Sequence, residues 1–90
     1  MNISTLEQYV DQKNSWGKMF GSKPLSLLNA KDRQRIAESI DGDLSPENLT
    51  CDGELPRAEV QRRYKELMTA AKQLKKYDPE VKFYEYETEI

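Results

Sequence analysis

Residues 56–77 read PRAEVQRRYKELMTAAKQLKKY, and the spacing within this stretch decides the fold. Val60, Tyr64, Leu67, Met68, Ala71 and Leu74 recur at three- and four-residue steps, which places them on one stripe of an α-helix. The remaining surface carries Arg57, Arg62, Arg63, Lys65, Lys72, Lys75 and Lys76 against Glu59 and Glu66 alone. The stretch predicts a long cationic helix with a single apolar seam. Pro56 opens it, and Asp78-Pro79 closes it, because the residue before a proline is pushed out of the α region. A charge layout of this kind suggests binding rather than chemistry.

Upstream, Ser4 and Glu7 have capping-box spacing, so a first helix is expected to start at Thr5. Leu6, Tyr9, Val10 and Trp16, with Phe20, fall near one face of it, and Lys13 on the same stripe must snorkel outward. Gly17 and Gly21 weaken its end, and residues 21–24 form a loop. Asn29, three residues before Asp32, is the expected N-cap of a second helix with Ile36, Ala37 and Ile40 inside. Gly42 fits the left-handed position that closes such a helix. Leu25, Leu27 and Leu28 before the cap suit a short turn. Ser45-Pro46-Glu47 opens one further turn, which Asp52-Gly53 ends.

Downstream, residues 81–90 alternate. Tyr84, Tyr86, Thr88 and Ile90 share one parity, and Glu85, Glu87 and Glu89 the other. That is a strand pattern without a second strand to pair with, so the tail is expected to pack across the helices, to stay mobile or to pair with another molecule.

Composition sets the limits. Ninety residues make one domain. With 37% hydrophobic and 33% charged residues, the chain can bury a modest core and has little left to wall a deep cavity. A single cysteine, Cys51, excludes an internal disulfide and fits a reducing compartment. The complete lack of histidine removes Ser–His and Cys–His nucleophile pairs and His-ligated zinc. No apolar leader and no membrane-length apolar run is present, so the expectation is a soluble cytoplasmic protein with no membrane partner.

The net charge of −2 conceals segregation. Residues 31–56 and 78–90 are acidic, whereas residues 57–77 hold seven cations against two carboxylates. In the more ordinary arrangement, the acidic blocks neutralise the helix within the fold. Asp41, Asp43, Ser45, Glu47 and Asp52 imitate a calcium loop, but Pro46 stands where the sharp turn needs glycine and Asp52 where a bidentate glutamate belongs. No metal and no cofactor is expected. Asp52 and Glu54 beside Cys51 disfavour a reactive thiolate. No Gly-rich phosphate loop is present and nothing singles out a carboxylate pair, so the chain does not read as an enzyme.

Asn48-Leu49-Thr50-Cys51-Asp52-Gly53-Glu54-Leu55, followed by Arg57, Tyr64, Leu67, Met68 and the basic end at Lys72–Lys76, resembles small uncharacterised accessory proteins of tailed bacteriophages. The resemblance covers roughly the C-terminal half. It implies no catalytic residues, only a setting, since accessory proteins of this kind often bind a host factor and alter it.

These readings combine into an all-α domain of three main helices over residues 1–80 and an extended acidic, Tyr-rich tail over 81–90. The expected core is Leu6, Val10, Trp16, Leu28, Ile36, Ile40, Leu49, Val60, Tyr64, Leu67, Met68, Ala71 and Leu74. The expected function is that of a small modulator that binds and inhibits or redirects a host or defence protein. Its contacts would be Arg62, Arg63, Lys72, Lys75, Lys76, Phe83, Tyr84 and Tyr86. Two alternatives use the same charges: a nucleic-acid binder built on helix 56–77, and an acidic mimic of nucleic acid built on Glu85, Glu87 and Glu89. A pI near 5.2 weighs against the first.

Overall fold

The computed structural model describes residues 2–84, whose regular elements are all helices, with no strand among them. The elements are α1 (Ser4–Gly17), a 3-10 turn (Leu25–Leu27), α2 (Ala30–Asp43), the short α3 (Pro46–Thr50) and α4 (Arg57–Tyr77). The first three α-helices all pack on α4. The all-α expectation holds, with the turn after Ser45 now a fourth helix.

Local chemistry sets the boundaries. α1 begins one residue before the expected start, and Ser4 is not its cap. Asn2 Oδ1 accepts from the Ser4 amide at 3.1 Å and from its hydroxyl at 2.9 Å. Farther along, the Leu6 amide donates to Gln73 Oε1 of α4 at 3.0 Å, so a first-turn donor is satisfied across the helix interface. α1 ends at Lys18, a non-glycine residue with left-handed backbone (φ 51°). Asn14 then staples the loop. Its side chain accepts from the Phe20 amide and donates to the Lys23 carbonyl, and this brings the Phe20 ring inside.

α2 has the expected cap, with Asn29 Oδ1 accepting from the Asp32 amide at 2.9 Å. Gly42 is not its left-handed terminator. The helix runs through it to Asp43, and Leu44 is still right-handed. What stops it is Pro46, which holds Ser45 extended (φ −60°, ψ 147°). The Gly42 carbonyl accepts instead from the Ser45 hydroxyl and from Asn48 Nδ2, both at 2.8 Å. α3 closes through Cys51 and Asp52, both left-handed, into Gly53.

Leu6, Val10, Ile36, Ile40, Leu44 and Leu74 are the largest fully enclosed side chains. Two expected core residues lie elsewhere. Trp16 is 70% exposed and Tyr64 39%. Trp16 sits in the last turn of α1, and Tyr64 on the outer edge of the α4 seam. Leu49 and Val60 are half-buried. The space is filled by Tyr9, Phe20, Leu25, Ala70 and, from beyond α4, Val81 and Phe83.

Those last two residues follow a sharp change of course. Asp78 leaves the helix with extended backbone and is buried. Its Oδ2 accepts from Arg33 Nε at 2.6 Å, and Oδ1 from the Glu80 amide at 3.1 Å. The Arg33 hydrogen bond holds the Asp78 carboxyl below the usual carboxylate range, against the opposing effect of burial. Because the folded value is depressed, this stabilisation is present above the unfolded-chain pKa near 4 and fades as pH falls through the folded value. Asp78→Asn should cost about 1–3 kcal/mol at pH 7. The gap to wild type should narrow between pH 5 and 3, read as converging urea midpoints.

Candidate partner-binding surfaces

α4 presents two chemically different sides. On one, Arg62 bridges Glu59 at 2.7 Å and Glu66 at 2.9 Å, so the helix neutralises its own cation. The same contact holds the Glu59 carboxyl below its ordinary value. Next to it, Arg63 donates to the Leu49 and Asn48 carbonyls, each at 3.2 Å, and so ties down the C-terminal end of α3. Lys75, about five turns on from Arg57 and so on a different face from Arg62, donates from Nζ to the Val81 carbonyl at 2.7 Å. Three of the cations expected to face a partner thus also bond within the chain: Arg62 inside its own helix, Arg63 to the end of α3 and Lys75 to the segment after α4.

On the other side, Arg57, Lys65, Lys72 and Lys76 are exposed and form no ion pair among the described residues. Their spacing confines them to roughly a third of the helix circumference. Tyr64 and Met68 border the same strip, and with Lys65, Thr69 and Lys72 they line a shallow open depression.

The aromatic residues of the tail separate. Phe83 is 3% exposed and belongs to the core, so it offers no contact surface. Tyr84 is 75% exposed. Tyr86, Glu85, Glu87 and Glu89 lie outside the described residues, as does most of the expected strand.

A second feature was not legible in the sequence. α1 and α4 enclose a cleft of about 420 Å³, bordered by Gln12, Trp16, Arg63 and Glu66 among others. Its inner wall is a polar network. The Tyr9 hydroxyl lies 2.7 Å from Ser39 Oγ and donates to Asp43 Oδ2 at 2.7 Å, and Lys13 pairs with the same carboxylate at 3.0 Å. The Lys13 ammonium also sits 5.3 Å from the Tyr9 ring centroid and 5.8 Å from that of Trp16. Lys13 snorkels as expected, but into a cage. Burial drives the Tyr9 phenol well above its ordinary pKa, and the adjacent Asp43 carboxylate acts in the same direction.

The acidic stretch forms no calcium loop. Asp43 takes part in the Tyr9 network, and Asp41 is a buried residue of α2. Among the described residues, no group of three or more His, Cys, Asp or Glu side chains is arranged to hold a metal ion. Cys51 is exposed, with its thiol 3.9 Å from the Asn48 carbonyl. No helix among the described residues is long and apolar enough to cross a membrane. Compared with known proteins, the chain matches no family model, no curated protein and no solved structure.

Tyr9→Phe should cost about 1 kcal/mol, since it removes one donor from the half-buried Asp43 carboxylate, which keeps its Lys13 partner. Because the folded phenol pKa is raised, this contribution is fully present below the unfolded-chain value near 10 and is lost progressively as pH rises from there toward the folded value. Wild type should therefore lose stability more steeply than Tyr9→Phe above pH 10, measured by denaturant titration across that range.

Proposed function

We propose that this chain is a small non-enzymatic protein-binding modulator, of the accessory kind that tailed bacteriophages encode. It would dock on an acidic surface of a host protein and occlude it. One observation carries the reading: Arg57, Lys65, Lys72 and Lys76 line an open strip of α4 without acidic partners among the described residues. Like charges held together on a rigid helix steer an oppositely charged surface into register. Tyr64 on the edge of the strip supplies an aromatic anchor.

The likeness of residues 48–76 to phage accessory proteins supports the host-directed part of the proposal. The same strip is also what a phosphate backbone would choose. The net charge of −2 favours a protein partner, because the rest of the surface repels a polyanion.

The test is affinity capture from a bacterial lysate, with the retained protein identified by mass spectrometry and then titrated. Lys65→Glu combined with Lys72→Glu should weaken that complex by about tenfold or more, corresponding to roughly 1.4 kcal/mol. Arg62→Gln, which alters a cation already paired within the helix, should change it less than about threefold. Equal affinities for wild type and the double variant would refute the proposal. Duplex DNA binding with a log–log salt slope near −0.9 per phosphate contact would transfer the strip to the nucleic-acid alternative.

A further inference from the structure

Residues 78–84 are held by α2 in the way a receptor holds an extended peptide. Gln34 uses both ends of its amide on one residue: Oε1 accepts from the Lys82 amide at 2.9 Å, and Nε2 donates to the Lys82 carbonyl at 3.0 Å. A single side chain thus reproduces the two-way pairing of a β-ladder. Farther along α2, Asp41 Oδ2 accepts from the Tyr84 amide at 2.7 Å. From α4, Lys75 donates to the Val81 carbonyl. Arg33, Gln34 and Asp41 meet residues 78, 82 and 84 in ascending order, so the segment runs along α2 in the same direction as the helix.

The side chains alternate as in a bound strand. Val81 and Phe83 are buried, whereas Lys82 and Tyr84 are exposed. Backbone contacts supply grip and two buried side chains supply selectivity, which is the logic of extended-peptide recognition. The match is incomplete in one respect. Asp41 is 8% exposed, and its Oδ1 has no hydrogen-bond partner among the described residues. A buried carboxylate oxygen left open is costly, so the chain's own segment does not satisfy everything the groove presents.

We infer that the groove along α2 is a binding site for an extended segment of a partner protein that carries an aliphatic and an aromatic side chain two residues apart. Residues 81–84 occupy it in cis. The site is separate from the cationic strip of α4 and does not depend on that strip's role. A tethered occupant acts at millimolar effective concentration, so a free peptide competes only once the tether's hold is weakened.

The experiment uses the full chain carrying Phe83→Ala and a fluorescein-labelled heptapeptide with the sequence of residues 78–84, followed by fluorescence anisotropy. Val81→Ala, a smaller truncation, takes its place if circular dichroism finds the first variant unfolded. The variant should bind the peptide at least about tenfold more tightly than wild type does, in keeping with removal of an intramolecular competitor. A peptide keeping only the valine and phenylalanine, with serine elsewhere, should also bind, and one with serine at those two positions should not. No binding to either folded variant up to millimolar peptide would overturn the inference, as would equal binding of the peptide lacking both anchors. Wild-type dimers in sedimentation without peptide capture by the variants would also overturn it, by assigning the groove to a second copy.

Discussion

A helix of 21 residues is about 32 Å long, and neither of its 14-residue neighbours, at about 21 Å, can cover its apolar seam alone. The rest of the structure answers to that constraint. α1 and α2 each cover part of the seam, α3 is drawn against it by Arg63, and the segment after α4 folds back to bring Val81 and Phe83 into the core. The turn at Asp78 allows this. Pro79 ends the helix, and Arg33 receives the freed carboxylate, so the chain is redirected along α2 instead of continuing into solvent. Where the seam faces inward, charged side chains near it become structural links. Where α4 faces outward, Arg62 is neutralised by its own helix, and Arg57, Lys65, Lys72 and Lys76 form no ion pair among the described residues.

This division explains why a block of seven cations does not act as one surface. A cation next to a carboxylate at helical spacing pairs with it, as Arg62 does with Glu59 and Glu66. A cation near a helix end or a chain reversal donates to carbonyls, as Arg63 and Lys75 do. Lys65 and Lys72 have neither neighbour among the described residues, and Lys76, although in the last turn, forms no ion pair among them. The cations without an ion pair among the described residues therefore form a narrow strip. The cleft on the other side of α4 carries a different chemistry, in which Lys13 is already committed to Asp43 and to the faces of two aromatic rings.

Much of the fold was legible in the sequence because it rests on local rules. The period of α4, the Asn29 cap and the Pro46 and Pro79 breaks each act over a few residues. Trp16 was misplaced because periodicity reports a face but not how far the neighbouring helix reaches, and the last turn of α1 extends past its cover. Gly42 was misread because glycine permits a left-handed close without requiring one, and Pro46 ends the helix first. The roles of Gln34, Asp41 and Asp78 had no local signal. Each bonds a residue more than forty positions away, and only the assembled fold brings those partners together. The same holds for Phe83, expected from the sequence among the partner contacts and placed by the fold in the core. The cationic strip lay between these cases, its charges plain in the sequence and their division between structure and surface set by tertiary neighbours.

Lysine accessibility puts the two-sided account of α4 to its most direct test. In a brief acetylation pulse on the native protein, with site occupancies read by mass spectrometry, Lys65, Lys72 and Lys76 should react several-fold faster than Lys13 and Lys75, whose ammonium groups are held by Asp43 and the Val81 carbonyl. Uniform labelling of all five, or protection of Lys65 and Lys72 in the isolated chain, would contradict the existence of an open cationic side.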